Sequence, residues 1–306
     1  MAQLANQRVA YFNGRIVPES DVRVSFRDRG FKYGDAAFDT TRSFGHRIFK
    51  LGEHLDRFYR SLRYLRLDPG VSKEEMARLS EEVFERNRHL LAPDEDYWLS
   101  QRVSRGADPG YGVEIGPTVI VECAPLPLDA RARLFRDGID VVVPSVRRTS
   151  PSALSPRAKM HNYLNMVVAD FEAKNATPDA WAVLLDENGN LAEGQGSNIF
   201  LVRDGRLLTP RERYVLPGVS RQTAIDLAGG LGIPFEEKDL DLYDAAVADE
   251  IFLTSTSLCI CPVASVNGGR VGDGKVPGPL TRRLMDAYAA FVDFDFEAQY
   301  LKRLPR

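Results

Sequence analysis

Cysteine is scarce in this chain of 306 residues, and so are tryptophan, with two, and histidine, with four. The three cysteines, Cys123, Cys259 and Cys261, are an odd number set in apolar, strand-like segments, so they read as buried thiols, not as a disulfide framework. Cys259 and Cys261 are not joined by a second pair or by spaced histidines, which excludes a zinc site of the usual kind. Long apolar runs are missing as well. None approaches the ~20 residues that span a bilayer, and Met-Ala-Gln-Leu-Ala-Asn-Gln-Arg at the start lacks a signal peptide's apolar centre. A cytoplasmic location is the expectation. There is no excess of positive charge: the formal net charge is −3, and the arginines alternate with acids such as Glu53, Asp56, Glu74, Glu75 and Glu81. That excludes a nucleic-acid surface. Neither internal repeats nor low-complexity tracts occur.

Lysine is the informative scarcity, with eight against thirty-two arginines. Seven of the eight (Lys32, Lys50, Lys73, Lys174, Lys238, Lys275 and Lys302) fall mostly in turns or charged runs. Lys159 differs. It follows a short polar entry containing Pro156 and precedes His161-Asn162-Tyr163-Leu164-Asn165 and an apolar, helical run through Met166, Val167, Val168 and Phe171. The plain reading is a surface lysine at a helix start. The alternative is an amine held in packed structure, where an unpaired ammonium costs several kcal/mol and where lysines serve as Schiff-base nucleophiles.

The length suits one large domain or two modest ones. We expect a first domain over residues 1–124, a connector over 125–137 marked by Pro125 and Pro127, and a second domain over 138–306. Early on, Asn13-Gly14 and Gly45-His46 read as hairpin turns. A helix follows from about His54, with Leu55, Phe58, Leu62 and Leu65 on its buried stripe and Arg57 beside it, whose plain reading is a solvated arginine. Ser72 and Glu75 form a capping box for a second helix with Met76, Leu79 and Val83 inward. Residues 98–103 and 118–123 read as strands. Later helices bury Ala224, Leu227 and Leu231, and finally Leu280, Leu284, Tyr288 and Phe291.

Three turns in the second half could bind an anion or project an acid. Glu193 precedes Gly194-Gln195-Gly196-Ser197-Asn198 between two strands, either as a surface glutamate in a hairpin or as an acid aimed into a cavity. Leu216-Pro217-Gly218-Val219-Ser220-Arg221 opens a helix whose free N–H groups seat anions. Four consecutive hydroxyl residues, Thr254, Ser255, Thr256 and Ser257, end a buried strand and offer phosphate both hydroxyls and amides. An amine, an acid and anion turns together suit one cofactor, pyridoxal phosphate, which needs each of them.

At this point the chain resembles the fold-type IV pyridoxal-phosphate enzymes, a class of branched-chain aminotransferases, D-amino-acid aminotransferases, (R)-selective amine transaminases and aminodeoxychorismate lyase. The resemblance runs from about Tyr11 to about Val292. It rests on Tyr33-Gly-x-x-x-Phe38-Asp39-x-x-Arg42, Glu53-His54-x-x-Arg57, Lys159-x-x-Asn162-Tyr163-Leu164, Glu193-Gly-x-Gly-Ser-Asn198, Leu216-Pro-Gly-Val-Ser-Arg221 and Phe252-x-x-Ser-Thr256, in the family's order. It implies a two-domain α/β (α+β) fold, with a small N-terminal α/β domain and a larger C-terminal domain that has a β-barrel-like core, and a homodimer. By the same resemblance Lys159 carries pyridoxal 5′-phosphate and shuttles the substrate's proton, Glu193 pairs with the ring nitrogen, and Tyr163 bonds the phenolic oxygen. Arg57, Val219, Ser220 and Thr256 hold the phosphate, with Ser255 as a helper. No metal is implied.

Tyr33, Phe38, Arg42, Trp98, Arg105 and Ser257 are the candidate substrate contacts. Tyr33, Phe38 and the stretch from Cys261-Pro262-Val263 to Gly278-Pro279 look like the branched-chain group, but Ser100 stands where that group carries an arginine. Ser104-Arg105-Gly106 is similar to a turn of the D-amino-acid aminotransferases, and Phe38-Asp39-Thr40-Thr41-Arg42 is similar to the lyase. Arg42 or Arg105 would grip a carboxylate bidentately. The leading expectation is amino transfer from a hydrophobic or branched-chain amino acid to a 2-oxo acid. D-amino-acid or (R)-amine transamination and the lyase reaction are its rivals, and a non-catalytic dimeric phosphate-binding protein is the bland alternative.

Overall fold

The computed structural model describes residues 7–108, 110 and 116–305. The chain divides into two compact units, one of residues 1–126 with 158–162 and one of residues 127–157 with 163–306.

The first unit is an antiparallel sheet backed by two helices. Its elements are β1 (Val9–Phe12), β2 (Arg15–Pro18), α1 (Arg29–Tyr33), β3 (Ala36–Phe44), β4 (Arg47–Ile48), α2 (Leu51–Tyr64), α3 (Lys73–Arg88), β5 (Tyr97–Ser104) and β6 (Thr118–Pro125). The strands lie in the order β2-β1-β6-β5-β3-β4. Both expected tight turns are present, and each puts two residues in the left-handed region, Asn13 with Gly14 and Gly45 with His46. Leu55, Phe58 and Leu62 of α2 and Met76, Leu79 and Val83 of α3 pack on Leu99, Val103, Val119 and Val121. This one-sided burial gives the sheet a second face that is only partly covered. Ser72 caps α3 by accepting from Glu75 N at 3.1 Å, but only half of the expected box forms, because the Glu75 carboxylate turns to Arg78.

The second unit contains α4 (Leu128–Asp137), β7 (Ile139–Val142), α5 (Leu164–Ala176), β8 (Trp181–Leu185), β9 (Leu191–Gly194), β10 (Ser197–Arg203), β11 (Arg206–Pro210), α6 (Val219–Gly230), β12 (Phe235–Lys238), α7 (Leu242–Ala246), β13 (Glu250–Ser255), β14 (Cys259–Val266), β15 (Gly269–Arg270), α8 (Pro279–Val292) and α9 (Phe296–Leu301). Its strands run β12-β11-β10-β13-β14-β7-β8-β9, and β9 pairs back with β10. Six strands, β10-β13-β14-β7-β8-β9, therefore close into a barrel and leave no edge inside the ring. Strands β9, β10 and β13 are buried along almost their whole length, as strands covered on both faces must be.

Four expectations are corrected here. The stretch read as a connector carries helix α4, because Leu128, Ala132 and Phe135 fall on one face, and Phe135 stacks on Tyr300 at 4.5 Å. Helix α8 is not the last element, since α9 follows it. Leu231 and Phe291 are exposed, at the ends of their helices where the apolar stripe has drifted off the buried face. The cysteines are free and buried, as expected. No helix among the described residues is long and apolar enough to cross a membrane.

Candidate active site

In the first unit the site begins with a short strand-like segment. Met160 bridges Ala37, Phe38 N donates to Lys159 O at 3.1 Å, and His161 N donates to Ala36 O at 3.0 Å. Residues 159–161 thus lie along β3, so Lys159 does not start a helix. Its own amide donates to Ser61 Oγ at 2.9 Å, and the Ser61 hydroxyl in turn donates to Arg57 O. Lys159 is 8 % exposed, and its Nζ lies 4.5 Å from the centroid of the Phe38 ring. The plain reading of a surface lysine fails, and its amine lies over an aromatic face.

Beneath that segment lies a buried ionic cluster. Arg57 grips Asp39 with both arms, Nε to Oδ2 at 2.8 Å and Nη2 to Oδ1 at 2.7 Å, while His54 Nδ1 sits 2.8 Å from Asp39 Oδ1. Burial pushes the Asp39 carboxyl up, but Arg57 and His54 outweigh it and hold the group well below the usual carboxylate range. Burial holds His54 below the ordinary imidazole value despite Asp39. Arg57 is 4 % exposed, which overturns its plain reading as a solvated arginine. His54, Arg57 and Ser61 share the inner side of α2 at spacings of three and four, so their polar edge runs beside the apolar stripe.

The partly covered face of the sheet carries Phe38, Thr40, Trp98, Ser100 and Arg102. Thr40 and Ser100 are register partners, and their hydroxyls lie 2.9 Å apart. Arg102 pairs with Glu122 at 2.7 Å and lies over Phe38. Tyr33 is largely exposed at the end of α1. Arg42 and Arg105, the alternatives for a substrate carboxylate, each have partners within the first unit. Arg105 donates Nε and Nη2 to Asp35 and its two Nη groups to Arg66 O and Leu65 O, closing the end of α2. Arg42 is 1 % exposed, gives Nε to Ser43 O and packs on Phe44.

His161 stands edge-on to Phe38 at 5.3 Å, and its Nε2 is buried with no partner among the described residues. Burial, with Arg102 nearby, pushes it down to about 4. Between pH ~6.5 and ~4 the unfolded chain therefore takes up a proton that the folded one refuses, and stability falls as pH falls through that window. His161→Gln is expected to flatten this slope by on the order of 2–3 kcal/mol, as measured by urea unfolding at pH 7 and pH 4.5.

In the second unit Glu193 lies in β9, 4 % exposed, so the surface-glutamate reading also fails. Three donors hold it. Arg148 Nε reaches Oε1 at 2.8 Å, while Leu216 N at 2.9 Å and Asn198 Nδ2 at 3.3 Å reach Oε2. Asn198 Nδ2 also donates to Leu216 O, and a Cβ on Gly218 would sit 2.2 Å from Asn198 Oδ1. Glycine is required where the chain enters α6. That helix has no side-chain cap at Gly218, which leaves its first N–H groups without a side-chain acceptor, as an anion seat needs. Ser220 Oγ donates to Ser255 O at 3.0 Å and joins the helix start to the end of β13. Ser255 Oγ accepts from Leu258 N, Tyr300 OH donates to Ser257 O, and Arg131 donates to Ser257 Oγ. Tyr163 is the residue before α5 and packs against Met166 and its neighbours.

Strand register links the acid to the anion seat. Glu193 pairs with Asn198, and Asn198 with Thr254, so the carboxylate strand and the hydroxyl turn are two strand spacings apart, about 10 Å. A buried acid and a hydroxyl turn at that strand separation fit a small protonated ring carrying a phosphate. The sequence reading did not single out Asp39, His54, Ser61, Arg148 or Asn198. Asp39, His54 and Asn198 stood in its motifs, whereas Arg148 lay in a loop without any period. Among the described residues no cluster of acids, histidines and cysteines could hold a metal ion.

Comparison with known proteins agrees with this arrangement. The amino-transferase class IV family pattern matches residues 36–266. A relative from Methanocaldococcus jannaschii, provisionally named a branched-chain-amino-acid aminotransferase, is 37% identical over 284 residues, 91% of this chain and 94% of its own. The crystal structure of the Escherichia coli branched-chain amino acid aminotransferase superposes with a TM-score of 0.85 at 31% identity, over 94% of this chain and 95% of that one. The Thermobaculum terrenum branched-chain aminotransferase in its PLP form gives 0.83 at 27% identity, over 98% of each. The chain belongs to the class IV aminotransferases. It is a transaminase of the fold-type IV architecture, and its cofactor is pyridoxal 5′-phosphate.

Proposed function

We propose that the enzyme moves the amino group of a hydrophobic or branched-chain L-amino acid to a 2-oxo acid, and that Lys159, Glu193 and the α6 entry do the work. The observation that carries the substrate reading is the Phe38 ring set 4.5 Å from Lys159 Nζ, with Trp98 on the same sheet face. An apolar wall beside the reacting amine favours an apolar side chain. On that face Arg102 is paired with Glu122, so its charge is not left to select an acidic one. The named relatives are branched-chain enzymes, and they favour neither the D-amino-acid and (R)-amine reading nor the lyase.

When bound, pyridoxal 5′-phosphate supplies an aldehyde for the amino group and a protonated ring that takes up the electron pair left at the substrate's α-carbon. Lys159 Nζ would hold the cofactor and carry the α-proton. Glu193 would accept the ring N–H, and the Tyr163 hydroxyl would bond the phenolic oxygen. The amides of Val219 and Ser220, with Arg57 and Thr256, would take the phosphate. Ser255, whose hydroxyl already serves Leu258 N, supports that turn. Tyr33 and Ser257 complete the candidate substrate contacts.

The test is a half-reaction panel with L-leucine, L-valine, D-alanine and (R)-1-phenylethylamine, following loss of the bound cofactor's visible absorbance. The L-amino acids should react fastest by at least about tenfold, the preference that one or two buried methylenes supply. Faster reaction with D-alanine would overturn the substrate reading.

We further propose a cytoplasmic homodimer. Support comes from the three free thiols and from α5, where Leu164, Val168 and Phe171, at spacings of four and three, are 75, 39 and 62 % exposed. An apolar stripe of this kind on a monomer marks an interaction surface. Phe171→Asp is expected to reduce the particle from two 34.2 kDa chains to one in sedimentation at micromolar concentration. An unchanged dimer would move the interface elsewhere.

A further inference from the structure

Glu193 is held asymmetrically. Its Oε2 has two neutral donors, Leu216 N and Asn198 Nδ2, whereas Oε1 has a single donor among the described residues, and that donor is charged: Arg148 Nε at 2.8 Å. A carboxylate oxygen has room for two hydrogen bonds, so Oε1 keeps one acceptor position. The arginine is fixed for this purpose. Its amide donates to Leu185 O at the end of β8, the preceding carbonyl accepts from Asn165 Nδ2, and its side chain is 13 % exposed beside a carboxylate at 5 %. Outside the triad of Asp39, His54 and Arg57, few charged pairs in the chain are as deeply shielded as this one.

We propose that Arg148 is a positioning residue whose charge decides where the proton shared between Glu193 and the cofactor's ring nitrogen resides. This inference rests on the role proposed above for Glu193. A hydrogen bond between a carboxylate and a pyridine-type nitrogen has two forms: the proton on nitrogen with the acid ionised, or the proton on the acid with the nitrogen neutral. In a buried site a carboxylate without a counter-charge takes the proton for itself. A guanidinium against Oε1 stabilises the ionised acid and so leaves the proton on the ring. The electron-withdrawing ring that amino transfer requires is then maintained by a residue that need not touch the cofactor. The neutral donors on Oε2 orient the group, but they cannot replace a charge.

The test uses the intact enzyme reconstituted with cofactor labelled with nitrogen-15 in the ring, observed by nitrogen NMR between pH 6 and pH 9 and compared with turnover. Wild type should show a protonated ring nitrogen throughout. In Arg148→Gln, which can keep a hydrogen bond but lacks the charge, the nitrogen should read as neutral, with kcat reduced about 10- to 100-fold. Arg148→Lys should restore the protonated signal and most of the rate. If the glutamine and lysine variants give the same ring signal, or if Arg148→Gln keeps the wild-type signal, the proposal is overturned. Glu193→Gln separates the two levels of the argument. A ring that stays protonated in that variant refutes the role of Glu193 itself, whereas a neutral ring there with a protonated ring in Arg148→Gln refutes only Arg148. Should Arg148→Gln fail to fold, Arg148→Met in a Glu193→Gln background carries no buried unpaired acid and tests the same dependence: its ring signal should match that of Glu193→Gln alone, and any further shift overturns the proposal.

Discussion

Exchange of Lys159 for alanine is expected to abolish amino transfer, by about 10³-fold or more, because the amine proposed above as both covalent anchor and proton carrier is removed. The protein should still fold. Lys159 is tied into the first unit through its backbone, with the amide on Ser61 Oγ and the carbonyl accepting from Phe38 N, and alanine keeps both. The side chain contributes one cation over the Phe38 ring, a contact of about 0.5–2 kcal/mol. The variant should therefore melt within a few degrees of wild type while losing the bound cofactor's characteristic visible absorbance. Full turnover by Lys159→Ala would end the assignment.

Asp39→Ala should have the largest effect on stability. Its removal leaves Arg57 buried at 4 % exposure without its fork partner, a loss of about 3–5 kcal/mol for a broken buried pair. The pH dependence has a definite sign. The folded state holds the Asp39 carboxyl below its unfolded value, so its contribution is present above the ordinary carboxylate range, near pH 4, and fades as pH falls below it. Urea unfolding at pH 7 should show the full deficit of the variant, and the gap to wild type should narrow as the medium is acidified. Asp39→Ala with Arg57→Met should recover much of the loss, since the stranded charge is gone. A deficit below about 1 kcal/mol at pH 7 would mean that Arg57 is not the desolvated charge it resembles here.

These two residues also show what was legible in the sequence. Lys159 was found because its surroundings differed from those of the other lysines. The fold class is what the resemblance carried by the ordered motifs implies, and the hairpin turns and helical stripes agree with it. Asp39 was harder, because β3 inverts the usual alternation. Phe38 and Thr40 point to the partly covered face, while Asp39, Thr41 and Ser43 point inward toward α2. Period two gives the two faces of a strand but not which one is buried, so alternation alone leaves the side of Asp39 open. The plain reading of Arg57 as solvated rests on its helical neighbours, because its partner lies eighteen residues away on another element. Arg148 meets Glu193 across forty-five residues and sits in a segment with no periodic signal, so no local pattern marks it. In α4 the prolines at 125 and 127 concealed a short stripe of Leu128, Ala132 and Phe135.

The ring of strands has a consequence for the acid it carries. Strand β9 is zipped to β8 on one flank and to β10 on the other, and a Cβ on Gly194 would stand 2.6 Å from Ala182 O. The main chain under Glu193 accordingly has no slack in either direction. An aspartate at this position, one methylene shorter, could not be brought forward by a yielding scaffold, so the reach of this carboxylate is set by the length of its own side chain.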